Sequence, residues 1–126
     1  DQFGHRKGYN AARFKWIRPY TELNDNNRKV ILCHYPILCY NNQYLFDGNG
    51  NPRTYMLYGH VHNTWDEELM AQAQSLAKQQ VRRRRDGTEY NLPCQMINCF
   101  CMYSDYTPLT LDEWIELDAK RRGAPQ

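Results

Sequence analysis

Two short apolar runs that end in histidine constrain the fold of this chain most strongly. Residues 29–33 form a continuous, mainly aliphatic and β-branched run before His34, while residues 54–58 precede Gly59, His60 and His62. A continuous run of this kind predicts a strand buried on both faces, as in a parallel sheet. Because ligand sites collect at the carboxyl ends of parallel strands, we expect these histidines to gather at one sheet edge.

The composition indicates one domain of ordinary globular type. The chain has 126 residues, of which 41% are hydrophobic and 24% charged, and a formal net charge of +2. That charge is too small to argue for nucleic acid or a membrane surface, and no apolar stretch is long enough to span a bilayer. The five cysteines form an odd set without a Cys-x-x-Cys pair, which favours a cytoplasmic protein over a secreted disulfide framework.

The other elements follow from capping and turn patterns. Thr64 and Glu67 form a capping-box pattern that predicts a helix over residues 64–85, with the arginines of residues 82–85 at its carboxyl end. Its apolar stripe would consist of Leu69, Ala73, Leu76, Ala77 and Val81. Residues 95–103 predict a third strand, and a second capping box at Thr110 predicts a helix through about Arg121. The predicted order is strand, loop, strand, helix, strand, helix, with a long loop at residues 41–53.

The histidines are candidate metal ligands. His60 and His62 share one face if the chain stays extended, and they diverge to serve two adjacent ions if it turns. Neutral imidazole binds Zn, Mn, Fe and Ni, and three imidazoles with His34 would leave one position open on a tetrahedral ion. The alternative for each histidine alone is a hydrogen-bonded polar residue at a strand end. The combination of all three favours a metal site.

Two segments carry a family resemblance. Residues 32–36 (Leu-Cys-His-Tyr-Pro) and 57–62 (Leu-Tyr-Gly-His-Val-His) resemble the last two signature motifs of the calcineurin-like metallophosphoesterases. Asn98 and residues 105–113 are similar to the closing strand and terminal helix of small bacterial and phage members. The resemblance covers residues 15–120 except a variable insert at 78–94.

The resemblance implies an α/β (mixed α+β) fold, namely the C-terminal half of an αββα sandwich. Residues 1–126 would then be a single partial domain, with residues 1–10 as a flexible entry. Members of the family hydrolyse phosphate esters with two divalent ions, often Mn, Zn, Fe or Ni. By resemblance His34 and His60 bind one metal and His62 the other, and a bridging hydroxide attacks phosphorus in line.

The chain departs from the family at its N-terminal motifs. The Asp-x-His, Gly-Asp-x-x-Asp and Gly-Asn-His-Asp segments are absent, so no catalytic residue is assigned, and Phe100 replaces a usual glycine. Asp47, Asp66 or Glu67 could supply a carboxylate, although Asp66 and Glu67 are better explained as residues of a first helical turn. Since the chain starts at Asp1, we expect it to be processed, trimmed or part of something longer.

Three hypotheses follow. The first is a portion of a metal-dependent phosphoesterase, which hydrolyses phosphate mono- or diesters once an N-terminal half, upstream or on another chain, completes it. The second is a truncated, non-catalytic binding or regulatory module that self-associates over an exposed apolar face. The third and weakest is nucleic-acid binding through residues 82–85. It is disfavoured because those arginines suit a solvated helix end and tyrosines do not cluster around them in the sequence. No membrane partner is expected.

Overall fold

The computed structural model describes residues 18–123, which fold into a mixed α and β domain with two helices. The elements in chain order are β1 (Tyr20–Asp25), β2 (Arg28–Cys33), β3 (Thr54–Tyr58), α1 (Trp65–Lys78), β4 (Val81–Arg83), β5 (Glu89–Asn91), β6 (Met96–Asn98), a 3-10 turn (Cys101–Ser104) and α2 (Leu111–Arg121). Neither helix of this part of the chain has the length and apolar content needed to cross a bilayer.

A four-stranded mixed sheet in the order β1-β2-β3-β6 organises the domain. β1 is antiparallel to β2, whereas β2, β3 and β6 run parallel. Asn26 and Asn27 join β1 to β2 with φ values of 49° and 65°, the left-handed conformation that two-residue hairpin turns require. Because three strands are parallel, their carboxyl ends lie at one edge, where His34 and Gly59 follow β2 and β3.

The two faces of the sheet differ in coverage. One face packs into the core through Ile31, Met56, Tyr58 and Met96, each at most 2% exposed, beneath α1 and its flanking loops. On the other face a groove of about 710 Å³ runs beside the start of α2, and its lining includes Leu23, Leu32, Leu57 and Trp114. Leu23 is 40% exposed on that side. Residues 18–123 therefore cover one face well and leave the other partly open.

The predicted first helix begins at the expected N-cap, Thr64, but it is shorter than predicted and no capping box forms. α1 ends at Lys78, and Arg82 and Arg83 lie in the separate strand β4. The Thr64 side chain makes no cap hydrogen bond and instead donates to the Val61 carbonyl at 2.6 Å. Glu67 cannot complete a capping box because its carboxylate turns inward, where the Tyr58 hydroxyl donates to it.

The predicted apolar stripe of α1 is confirmed at Ala77, which packs against the core, but it is wrong at its two leucines. Leu69 and Leu76 are 57% and 61% exposed, while the helix buries Glu67 and Gln74. Gln74 accepts a hydrogen bond from the Met96 backbone N–H at 3.2 Å, so it supplies a partner to the start of β6. The inward face of α1 thus combines the apolar contacts of Met70 and Ala77 with the polar contacts of Glu67 and Gln74, and it does not include the leucines.

Other predictions are confirmed or shortened. β2, β3 and α2 form where expected, and Thr110 makes a complete capping box with Glu113. The third predicted strand ends at Asn98, because the Asn98 side-chain oxygen accepts from the Phe100 N–H at 3.0 Å and starts the turn that follows. The expected insert is largely the β4–β5 hairpin. The expected flexible entry at residues 1–10 lies outside the described residues.

Candidate metal centre

The carboxyl edge of the parallel strands holds two of the predicted ligands side by side. The Gly59 and His60 backbone N–H groups both donate to the His34 carbonyl, at 3.0 and 2.8 Å. These bonds continue the β2–β3 pairing past the end of both strands. The local backbone therefore fixes His34 and His60 next to each other at the protein surface.

The two imidazole rings face each other through nitrogen atoms. His60 Nδ1 lies 3.2 Å from His34 Nε2, with ring centroids 5.0 Å apart and planes at 73°. The Tyr35 ring packs against both, with centroids 5.0 Å from His34 and 4.5 Å from His60. One tyrosine thus restricts the motion of both imidazoles.

The separation of 3.2 Å suits either of two arrangements. Two neutral imidazoles form a hydrogen bond at that distance, one donating and one accepting. Two ligands of one tetrahedral ion, at metal–nitrogen distances of about 2.0–2.1 Å, lie about 3.3 Å apart. The nitrogen–nitrogen distance is therefore compatible with both arrangements, and in the second the ion lies to one side of the line that joins the nitrogens.

His62 leaves this pair because the chain turns after Gly59. His62 has φ of 51°, and its ring stacks on Phe100 with centroids 4.5 Å apart and planes at 14°. The Asn98 amide donates to the His62 carbonyl at 2.6 Å and fixes the turn. The diverging arrangement of His60 and His62 is therefore the one adopted. Among residues 18–123, no three His, Cys, Asp or Glu side chains converge on one metal position.

Electrostatics keeps His34 in the form that binds metals. Burial is the main cause that lowers the His34 pKa below its usual value, and the neighbouring His60 and His62 lower it further. A lower pKa keeps the imidazole neutral at physiological pH, and only the neutral ring can ligate an ion.

The three candidate carboxylates do not join the histidines. Asp47 accepts backbone N–H bonds from Asn49 and Asn51 within its own loop, and the Asn51 bond is the main cause of its lowered pKa. Asp66 is exposed in the first turn of α1. Glu67 is 5% exposed and is held by buried partners. Any carboxylate ligand for the pair has to come from outside the described residues.

Sequence reasoning missed the residues that support the site. Tyr35 belongs to a motif that assigns it no role, and Asn98 stands out in the sequence only as a family feature. The Asn-Cys-Phe order of residues 98–100 places an amide before a turn, which is a typical local hydrogen-bonding pattern. No such local signal points to Tyr35, because its contact with His60 joins two loops.

The comparisons with protein-family models, with curated proteins and with solved structures found no match for this chain.

Proposed function

We propose that this chain is the C-terminal, ligand-bearing portion of a metal-dependent phosphoesterase of the calcineurin-like type. In this proposal His34 Nε2 and His60 Nδ1 hold one divalent ion (Mn, Zn, Fe or Ni), and His62 contributes to a neighbouring one. An N-terminal half supplies the missing carboxylates and completes the αββα sandwich. The odd number of cysteines, five, is in keeping with a reducing cytoplasm.

One observation carries the proposal, namely the facing nitrogens of His34 and His60 at 3.2 Å. Both residues are exposed, so the rings are not needed to fill the core. An ion can approach both rings from solvent at the edge where parallel strands place ligand sites. Divalent ions bound there supply Lewis acidity and a water-derived nucleophile, while the residues of this chain bind and orient them.

The partly open sheet face supports completion by another half. Sheets in stable domains are covered on both apolar faces by further layers. The groove beside α2 exposes Leu23 and is also lined by Leu32 and Leu57. At one end its lining includes His34 and Gly59. A layer placed over the groove would therefore reach the sheet edge that carries His34 and His60, called the histidine edge below.

The proposal is tested by titrating the full metal-free chain with Zn²⁺ and Mn²⁺ in a calorimeter. We expect binding that weakens at least tenfold in His34→Ala and in His60→Ala. Asp86→Asn is the matched control, since it removes an exposed carboxylate in the β4–β5 turn and should leave binding unchanged. Absence of binding, or equal binding by all variants, would contradict the proposal. Full hydrolysis of a phosphodiester by the chain alone would contradict the need for a second half.

A non-catalytic binding module is the second candidate, favoured by the outer surface of α1. Trp65 is 86% exposed, and Leu69 and Leu76 lie on the same exposed side of the helix. This alternative predicts that the chain self-associates and that Leu69→Glu abolishes association. Ser75→Glu is the matched control, since it adds the same charge at an exposed position of α1 about a third of a turn away from the leucines. Sedimentation of the His34, His60 and His62 triple alanine variant separates the two functions, because association alone does not need imidazoles.

A further inference from the structure

The β4–β5 hairpin is an exposed basic arm. Every residue from 81 to 89 is exposed, and Gly87 closes the turn with φ of +91°. Residues 81–91 contain four Arg and two Asp or Glu, which gives the hairpin a local net charge of +2. The hairpin is therefore positively charged as well as exposed.

Nucleic-acid binding by residues 82–85 was disfavoured for two reasons, namely that the arginines suit a helix end and that tyrosines do not cluster around them in the sequence. The structure removes both reasons. These arginines do not end a helix, so the helix dipole does not explain them. Two aromatic rings also cluster with them. The Arg84 guanidinium lies 4.5 Å from the Tyr90 ring centroid and 5.3 Å from that of Phe46, and the two rings meet edge to face at 5.5 Å.

Strand register separates the charges onto two faces. Arg82 pairs with Tyr90 and Arg83 with Glu89, and side chains alternate along a strand. Arg82, Arg84 and Tyr90 therefore share one face, whereas Glu89 lies on the other, 3.9 Å from Arg83. The hairpin's second carboxylate, Asp86, is bound within the turn by Thr88. One face thus carries two guanidinium groups beside aromatic rings without a carboxylate of the hairpin.

We propose that this face binds single-stranded nucleic acid. Guanidinium groups pair with phosphate oxygens, and unpaired bases stack on aromatic rings and on guanidinium planes. The face offers both groups in one layer. A duplex hides its base faces and an acidic peptide has no planar rings to stack, so neither would use the aromatic part of the surface. RNA and single-stranded DNA share the chemistry that is recognised.

The proposed site is separate from the histidine edge. α1 follows the His60 turn and leads away from it, and its 14 residues span about 21 Å at the usual rise per residue. The hairpin begins beyond its far end. Binding at the hairpin should therefore need no metal ion, and the test can be made in the presence of EDTA.

The experiment measures fluorescence anisotropy of labelled twelve-nucleotide oligo(U) and oligo(dT) with the full chain in EDTA at several salt concentrations. A twelve-base-pair duplex and a poly-glutamate competitor of equal charge are added as comparisons. The variants are Arg82→Ala, Arg83→Ala and Tyr90→Leu. Arg82→Ala and Arg83→Ala form a matched pair, because they remove the same charge from adjacent residues on opposite faces. Circular dichroism checks that each variant folds.

We expect both single strands to bind more tightly than the duplex and to resist displacement by poly-glutamate. Arg82→Ala should weaken binding at least threefold more than Arg83→Ala. It should also reduce the steepness with which the logarithm of the binding constant falls with the logarithm of the salt concentration by about 0.7, the value for one phosphate contact on a single strand. Tyr90→Leu should weaken binding without changing the slope. Equal effects of the two arginine variants, preference for the duplex, displacement by poly-glutamate or absence of binding would each overturn the proposal. A preference between oligo(U) and oligo(dT) identifies the natural polymer.

Discussion

Two clusters of titratable side chains, one around Glu67 and one formed by His34 and His60, differ in burial and in the partners they contact. The Glu67 carboxylate is buried and accepts from the Tyr58 hydroxyl at 2.5 Å, while Arg121 and Arg122 lie 2.7 and 3.2 Å away. His34 and His60 are exposed, and their facing nitrogens contact each other. A satisfied buried cluster serves the fold, whereas an exposed pair of imidazoles is available to a ligand.

The Glu67 cluster joins three elements. Tyr58 belongs to β3, Glu67 to α1 and the two arginines to the end of α2, so one carboxylate ties both helices to the sheet. Asp118 also pairs with both arginines, at 3.1 and 2.8 Å. Burial and Glu67 raise the pKa of the Tyr58 hydroxyl, so it remains a donor. Both carboxylates of the cluster are thus neutralised by cations of the same chain.

The largest expected effect is on stability, from Glu67→Ala. Removing the carboxylate leaves two partly buried cations with Asp118 as their remaining carboxylate, so we expect a loss of about 3 kcal/mol, the lower end of the cost of breaking a buried pair. Urea unfolding of the metal-free chain measures this loss. Glu68→Ala is the matched control, since Glu68 is the next residue and exposed, and its effect should stay within about 0.5 kcal/mol. Equal effects of both variants would contradict the structural role of Glu67.

Two cysteines near the histidine edge, Cys99 and Cys101, should differ in how fast they are alkylated. Burial raises the pKa of the Cys99 thiol to about 12, while Cys101 is exposed. Because the thiolate is the reactive form, iodoacetamide at a pH of about 8.5, near the usual thiol pKa, should label Cys99 roughly a hundred times more slowly than Cys101. Mass spectrometry follows both sites, and unfolding in urea should remove the difference. Equal rates in the folded chain would contradict the burial of the Cys99 thiol.

A smaller effect is expected from Asn98→Ala. Asn98 is 1% exposed, and its side chain bonds the His62 carbonyl and the Phe100 N–H. Its loss removes the partner of the part-buried Phe100 N–H and leaves the His62 carbonyl with a longer bond from the Tyr103 hydroxyl, at 3.5 Å, which costs about 1–3 kcal/mol. NMR spectra should show the His62 ring resonances moving while those of His34 and His60 stay in place. Asn63→Ala, at an exposed position, is the control. Movement of all three histidines would mean that the pair depends on the His62 turn.

The smallest stability change is expected at the pair itself. His34→Ala and His60→Ala should alter the unfolding free energy of the metal-free chain by less than about 0.5 kcal/mol, as at other exposed positions. Thermal unfolding monitored by circular dichroism provides the measurement. A loss comparable to that of Glu67→Ala would assign the histidines to the fold rather than to a ligand.

Sequence patterns predicted the elements whose signal is local. The aliphatic runs of β2 and β3 and the capping box at Thr110 need no distant partner, and they form as expected. Residues 20–25 carry no clear strand pattern because β1 is an edge strand with exposed polar residues, stabilised by pairing with β2. The Asn26–Asn27 turn is visible in the sequence, but the strand preceding it is not.

The errors have a common physical cause. Thr64 and Glu67 match a capping box as well as Thr110 and Glu113 do, yet Glu67 pairs with Arg121 and Arg122, which lie far along the chain. Because α1 is oriented with Glu67 toward the core, Leu69 is left exposed. At the site, His34 and His60 were predicted to meet, but their facing nitrogens depend on backbone bonds between two strand ends. The direction of His62 depends on whether the chain turns, which the motif alone leaves open.

His34 Nε2 and His60 Nδ1 are proposed to bind one divalent ion together. Nitrogen-15 NMR of the imidazole rings, recorded before and after adding Zn²⁺ to the full chain, tests this claim most directly. On binding, the donating nitrogen should give up its proton, which moves to the other nitrogen of its ring, and both facing nitrogens should move to shifts typical of metal-bound nitrogen at one equivalent of zinc. Spectra in which one of them keeps its proton and the other still accepts it, unchanged by zinc, would show a simple hydrogen bond and contradict the claim.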